Sequence, residues 1–352
     1  MAPTGAIPAG AVPASAVPAG AGVQSWVILG AGRVGPTHAH ALSTSADAAL
    51  LGVVDPDLDR ARALAQAYGT VAWPDLTAML GEVQPDAATV ALPHDLHLPT
   101  IRALTESGVA ALCEKPLART AGECQEIVSL AARSAVPVGT VLNMRGYGYS
   151  RAILALTQSG ALTPRRIQIT GRIPRRPPAD WLSDPARAGG GVLLEVGVHY
   201  LDLLQWWLGE PRELRCELEG EPVEHTVRAG LEFGGGCAAE LSLVGTDGEY
   251  VPVTISIQAD QGQATVEGTR LTTDVSALAD RVSAEPSPTQ AGPSDALPYG
   301  HGHVTVIHEA CAALRRRSSF PISAAQGARS VALAAALYGL STSPHRPERS
   351  LR

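Results

Sequence analysis

Ahead of Trp26 the chain has no hydrophobic period: Ala, Pro, Gly and Val alternate, with proline every few positions, as in Ile7-Pro8-Ala9-Gly10-Ala11-Val12-Pro13. At Trp26 the pattern changes. Trp26-Val27-Ile28-Leu29 is a short apolar run closed by glycine, which is how a strand buried on both faces reads. Similar runs recur at residues 50–54, 87–92, 109–113 and 138–142. Helical stretches lie between them, from residue 35 to about 42, over 58–68, through Ile101 and Leu104, and over 122–132. Strands alternating with helices at this spacing predict β-α-β units on a parallel sheet.

Beyond about Tyr149 the period shortens. Ile167-Gln168-Ile169-Thr170 alternates as a half-exposed strand does. A helix over 193–208 is followed by strand-like segments at 214–218, 226–233, 238–244, 251–257 and 263–267, separated by turn residues. Consecutive strands without intervening helices predict a mostly antiparallel sheet with one face covered. Residues 284–299 are rich in Pro and Ser and read as a loop; helices over 304–316 and 324–340 finish the chain. The expected organisation is a disordered Ala/Pro-rich leader (1–24), a nucleotide-binding domain with a doubly wound parallel sheet (25–146), and a second α/β domain (147–345). The second domain would carry the open-faced antiparallel sheet, with its C-terminal helix free to pack back on the first.

Composition narrows the class. A length of 352 residues favours two domains. A hydrophobic fraction of 45% and a charged fraction of 17% describe a soluble globular protein. A net charge of -7 argues against nucleic acid, which requires a basic face. The five cysteines are scattered with no C-x-x-C pair, so neither a disulfide framework nor a zinc site is expected; no metal is called for, and a reducing cytoplasm fits. The leader lacks the basic start and unbroken apolar core of a signal peptide, and no stretch reaches the length of a membrane span.

Candidate chemistry sits where the strands end. Gly30-Ala31-Gly32-Arg33-Val34-Gly35 follows the first strand and opens a helix, and Asp55 ends the second strand. Its distance from Gly30 is close to the roughly 20 residues at which a dinucleotide-binding fold places its acidic residue. In that context a G-x-G-x-x-G loop binds a dinucleotide: glycines admit the tight turn and the pyrophosphate, and the acidic residue meets the ribose 2′-hydroxyl. Asp55 would repel a 2′-phosphate, which favours NAD(H) over NADP(H), although Arg60 and Arg62 follow one turn later. Pro93-His94-Asp95-Leu96-His97 follows the strand ending at Leu92 and is placed to face the nicotinamide, or else to cap a helix. Lys115, in Leu112-Cys113-Glu114-Lys115-Pro116, stands at another strand end. Proline after it holds it extended and permits a cis bond. A lysine partly desolvated there has its pKa drawn toward neutrality, as a catalytic lysine requires; the alternative is a surface lysine in a turn. Further along, Gly189-Gly190-Gly191 precedes a helix with Glu195 and His199 at i and i+4. On one helix face the carboxylate would raise and orient the imidazole for acid/base work; the alternative is a solvated pair.

Together the glycine loop, the Pro93–His97 stretch, Glu114-Lys115-Pro116 and the Gly-Gly-Gly…Gly-x-His helix resemble, in order, the glucose-fructose oxidoreductase / inositol dehydrogenase / MocA family, from Trp26 to about Leu340. Asn143-x-Arg145 and Trp181 also match positions typical of it. The resemblance implies a Rossmann domain and an α/β domain whose open sheet serves a homo-dimer or tetramer. It also implies NAD(P)-dependent hydride transfer at a carbinol or ketone of a sugar or cyclitol. Carried over, it makes Lys115 and His199 the proton-handling pair, with Glu195 where many members have aspartate, one methylene longer. The glycine loop with Asp55, and Pro93, His94, His97, Glu114, Lys115 and Asn143, would surround the cofactor. Arg145, Trp181, Glu195 and His199 would surround a polyhydroxylated substrate. The Glu195 departure and the loop Arg172-x-x-Arg175-Arg176 leave room for a reductase of imines or nucleotide-linked keto-sugars. A non-catalytic NAD(P)-binding sensor is the reading from another class.

Overall fold

The apolar runs at 26–29, 50–54, 87–92, 109–113 and 138–142 all form parallel strands in the computed structural model, which describes residues 22–248, 250–284 and 300–340. In order the elements are β1 (Gln24–Leu29), α1 (Gly35–Thr44), β2 (Ala48–Val54), α2 (Leu58–Ala67), β3 (Val71–Trp73), α3 (Leu76–Glu82), β4 (Ala87–Val90), α4 (His97–Glu106), β5 (Ala110–Glu114), α5 (Ala121–Ser134) and β6 (Val138–Val141). The sheet order is β3-β2-β1-β4-β5-β6. Between β1 and β4 the winding reverses direction, which in such sheets opens a crevice beyond the carboxyl ends of the strands. β4, β5 and β6 are buried at every position, as a sheet covered by helices on both faces requires. Asp57, Asp75 and Thr120 cap α2, α3 and α5 with their side chains, which fixes where each helix starts.

The second half contains α6 (Gly148–Gln158), β7 (Pro164–Pro174), α7 (Pro185–Ala188), α8 (Val198–Leu208), β8 (Glu213–Glu219), β9 (Thr226–Glu232), β10 (Ala238–Thr246), β11 (Val251–Ala259), β12 (Gly262–Glu267), β13 (Arg270–Thr273), α9 (Ser276–Ala284), α10 (His301–Arg315) and α11 (Ala324–Leu340). Its sheet runs β13-β12-β11-β7-β10-β9-β8. Among its described strand pairs only β7–β10 is parallel. On its inner face Ile167, Ile169, Leu241, Leu243, Ile255 and Ile257 are buried, in one apolar cluster with Ile153 of α6 and Leu201 and Leu204 of α8. The alternate positions, among them Arg166, Gln168, Glu240 and Ser242, point the other way and are polar, so one face stays open.

The C-terminal helices return to the first sheet. Val306 and Ile307 of α10 and the neighbouring Phe320 share a buried cluster with Trp26, Ile28 and Leu42. Ahead of α11, the N–H of Thr140 donates to Ile322 O (3.0 Å), so this segment lines the edge of β6.

Several expectations are corrected. β1 starts at Gln24, inside the residues assigned to the leader; residues 1–21 of that leader lie outside the described residues, as do 285–299 of the Pro/Ser-rich loop. β3, α3, α6, β13 and α9 had no strong sequence signal. β3 is only Val71-Ala72-Trp73, and β13 (Arg-Leu-Thr-Thr) is mostly polar. The helix expected over 193–208 is not uniform: Leu193–Gly197 is a π-helical turn and the α-helix begins at Val198.

Candidate active site

Five strands of the first sheet, β2, β1, β4, β5 and β6, end side by side, and each end carries one of the motifs. After β1, Gly30 has a φ of 106°. Side-chain-bearing residues rarely adopt that conformation, and a Cβ there would collide with the carbonyl of Ala91. Its N–H donates to Val54 O (2.8 Å), which draws the loop onto the end of β2. Asp55 completes that join: Oδ2 accepts the N–H of Ala31 (2.8 Å) and Oδ1 that of Asp57 (2.9 Å). Asp55 is 6% exposed, and both its oxygens hold the loop. Arg60 is bound to the Asp57 carboxylate at 2.9 Å.

The loop fits a dinucleotide by its own geometry. A Cβ on Gly32 would meet nothing nearer than Arg60 Nη1 at 4.0 Å, so the concave side of the turn has room for a phosphate. Helix α1 begins with proline in its first turn, no side-chain cap and no acidic residue there, which leaves its positive end for an anion. At the end of β6, Asn143 is buried with Oδ1 lacking a hydrogen-bond partner among the described residues, a polar atom in need of a donor.

Beyond β4, the His94 ring meets Ala188 O through Nδ1 (2.8 Å) and takes the edge of Trp181 at 4.7 Å between centroids. Burial, followed by neighbouring His97, holds His94 well below the ordinary histidine pKa. His97 corrects its expected place at the nicotinamide. It is 0% exposed, and its two ring nitrogens face Pro116 O (3.0 Å) and Leu92 O (2.9 Å), so it ties the end of β4 to the turn after Lys115.

Lys115 follows β5 and its bond to Pro116 is cis. The side chain is half-buried, and Nζ donates to the backbone O of Glu195 (2.6 Å). Burial lowers its pKa, against the opposing charges of Glu195 and Glu114. Glu114 turns away from the crevice: Oε1 meets His38 Nε2 (2.8 Å) and His303 Nε2 (3.3 Å), and Oε2 accepts the Lys115 N–H (3.2 Å). Burial alone would raise its pKa; His303 and His38 outweigh that and hold it well below the carboxylate range. Sequence reasoning missed this cluster because α1, β5 and α10 meet only in the fold.

The glycine triplet is required by close approach: a Cβ on Gly191 would strike the backbone of Glu224. The buried Glu224 carboxylate accepts the N–H groups of Gly191 (2.9 Å) and Leu193 (3.1 Å) and the hydroxyl of Tyr338 (2.6 Å). The π-helical turn that follows widens the spiral, and π turns of this kind recur at functional sites. As a result the expected Glu195–His199 pair does not form. Glu195 directs its carboxylate to Arg176, with a second cation, Arg33 of the glycine loop, at 3.7 Å. His199 Nδ1 is buried with no hydrogen-bond partner among the described residues, a polar atom in need of one. Burial, then the charge of Lys115, places its pKa well below the ordinary value.

Arg145 is the other correction. It is 4% exposed, forks onto Asp202 at 2.8 and 2.6 Å, and lies over the Trp206 ring. Its guanidinium is engaged within the protein rather than offered to a substrate. Within the arginine-rich loop, Arg175 is 3.4 Å from Asp247 and Arg176 holds Glu195.

Comparison with known proteins identifies the family and the fold. Residues 24–141 match the model of the oxidoreductase family with NAD-binding Rossmann fold (GFO_IDH_MocA), and residues 150–265 match the GFO/IDH/MocA C-terminal domain. The chain belongs to this family. Inositol 2-dehydrogenase of Rhizobium meliloti is 28% identical over 248 residues, 70% of this chain and 68% of that protein. D-glucoside 3-dehydrogenase of Escherichia coli is 31% identical over 195 residues, covering 52% of this chain and 54% of that protein. Among solved structures, the WlbA dehydrogenase from Bordetella pertussis, in complex with NADH and UDP-GlcNAcA, aligns over 92% of this chain and 96% of its own with TM-score 0.78 and 21% identity, a likeness of fold. Among the described residues no helix is long and apolar enough to cross a membrane.

Proposed function

We propose that this chain oxidises a secondary alcohol on a polyhydroxylated ring, a sugar or cyclitol, and reduces the corresponding ketone in the reverse direction. One observation carries the reading: Lys115 Nζ and His199, whose buried Nδ1 has no partner among the described residues, converge beside the glycine loop at the sheet's carboxyl edge. NAD, when bound, supplies the hydride acceptor for the carbinol carbon. Gly30 to Gly35, with Arg33 and Val34 between, and Asp55 would hold it at the loop; Pro93, His94 and Asn143 line the strand ends beyond. His199, kept neutral by burial, takes the hydroxyl proton at Nε2. Lys115 donates from Nζ to the same oxygen, and its bond to Glu195 O aims the amine. Glu195, neutralised by Arg176, shapes the site and stands apart from the proton transfer.

NAD is the preferred cofactor in this reading, because the buried Asp55 carboxylate disfavours a 2′-phosphate and Arg60 is answered by Asp57. The free thiols of all five cysteines suit a reducing cytoplasm. The open polar face of the second sheet is suited to pairing with another copy. In this reading the half up to about residue 146 binds the nucleotide and the half after it the substrate, a division that the presence of two separate sheets supports. The test is a panel of sugars and cyclitols deuterated at each carbinol carbon, followed with NAD and with NADP. A substrate that yields NADH absorbance and passes its deuterium to C4 of the nicotinamide is expected, faster with NAD. Cofactor binding with no label transfer across the panel contradicts the proposal.

A further inference from the structure

Beside Glu195 lies a cavity of about 220 Å³ that the chemistry above leaves unused. Most of its accessible lining is apolar, supplied by residues such as Ile173, Pro178, Leu182, Val192, Pro222 and Val223, with charged and polar side chains between them. Of its polar side chains, all but the exposed Glu221 have a partner among the described residues. Arg176 holds Glu195, and Arg175 is 3.4 Å from Asp247. Ser183 donates to Pro177 O (2.9 Å), His225 Nδ1 meets Thr226 Oγ1 (3.1 Å), and Glu224 is closed by Gly191, Leu193 and Tyr338. A cavity so lined offers few polar groups in search of a partner, and its occupant is selected by apolar burial.

Glu195 joins this cavity to the reaction centre. Its carboxylate lines the cavity while its backbone O accepts Lys115 Nζ at 2.6 Å, so whatever fills the space sits within one residue of the reacting amine. A group there is within reach of a covalent link to the ring being oxidised. An apolar cavity of about 150 Å³ takes up a benzene molecule. At 220 Å³ this one has room for a ring of that size with a linking atom. The cis-bonded Glu221-Pro222 turn and Val223 form one wall, and Glu224 fastens that turn to the glycine triplet, so the wall is fixed relative to Glu195.

We infer that this cavity is a subsite for an apolar aglycone, and that the preferred substrates are sugar or cyclitol derivatives bearing an aryl or short alkyl group rather than the bare ring. The inference rests on the alcohol-oxidation reading and extends it to the substrate's second half. Each methylene-sized increment buried there adds roughly fourfold to binding, and a phenyl group adds about tenfold or more.

The test compares methyl and phenyl β-D-glucopyranoside with the full chain, by NADH absorbance and by calorimetric titration of the NADH-bound enzyme. The expected result is a kcat/KM or affinity for the phenyl glycoside at least about tenfold above the methyl glycoside. That ratio should collapse toward one in Val223→Trp, whose indole fills the cavity from a half-buried loop position; Val192→Trp fills it from the glycine-triplet segment should the first variant fail to fold. Equal values for the two glycosides, a ratio that survives both fillings, or binding of neither overturns the subsite. Preferential binding of the phenyl glycoside without oxidation supports the subsite and counts against the oxidation reading alone.

Discussion

At the scale of the residue, burial decides which of the ionisable groups can do chemistry. His199 is held neutral by burial and by the charge of Lys115, so its proton-accepting form persists below its ordinary pKa of 6.5. The kcat/KM for oxidation is therefore expected to stay level from pH 8 to about 6.5 and to fall only at lower pH, measured as initial NADH production. A limb falling with a midpoint above 6.5 contradicts this environment. Arg145 illustrates the opposite outcome. Its fork onto buried Asp202 is structural, and burial raises the Asp202 pKa against the pull of Arg145. Arg145→Ala leaves a buried carboxylate without its partner and should cost about 3 kcal/mol in urea unfolding, with KM of the folded enzyme little changed. A large rise in KM at unchanged stability would return Arg145 to the substrate.

Elements carry the next level of organisation. Strand β5 delivers Lys115 to the crevice and Glu114 to the opposite side, where α1 and α10 each contribute a histidine. The sign of the pH effect follows from the direction of the shift. The folded pKa of Glu114 lies well below 4.5, so its stabilisation is complete above pH 4.5 and is lost as pH falls toward the folded value. Burial of His94, His97 and His199 as neutral rings adds to this, removing stability as pH falls below 6.5, where the unfolded chain takes up protons that the folded chain refuses. Glu114→Gln should lower stability at pH 7 by roughly 2 kcal/mol. It should also flatten the fall below pH 4.5, as read from urea midpoints across the acid range. An unchanged acid slope would place the sensitivity elsewhere.

Across the whole molecule, legibility followed how local each cause is. The parallel strands and the glycine loop were readable because their signals lie within a few residues, and the strand ends gather them without further information. The position of Lys115 at the end of β5 was readable for the same reason. The Glu195–His199 pair was misread because four-residue spacing places side chains together only on an α-helix, and a π turn intervenes at Leu193–Gly197. His38, Glu114 and His303 were illegible because their meeting depends on α10 folding back onto α1 from the far end of the chain. Glu224 was missed likewise: it lies in a β8–β9 turn with no motif of its own, yet it secures the glycine triplet.

These pieces converge on Lys115, whose amine links the cofactor half of the molecule to the substrate half through Glu195. The most direct measurement is the rate of NADH formation by Lys115→Ala, on whichever deuterated alcohol the wild type oxidises, alongside its affinity for NAD. The expected result is a loss of about 10²- to 10⁴-fold in kcat with NAD affinity retained. A variant that turns over at the wild-type rate contradicts the assignment of this site.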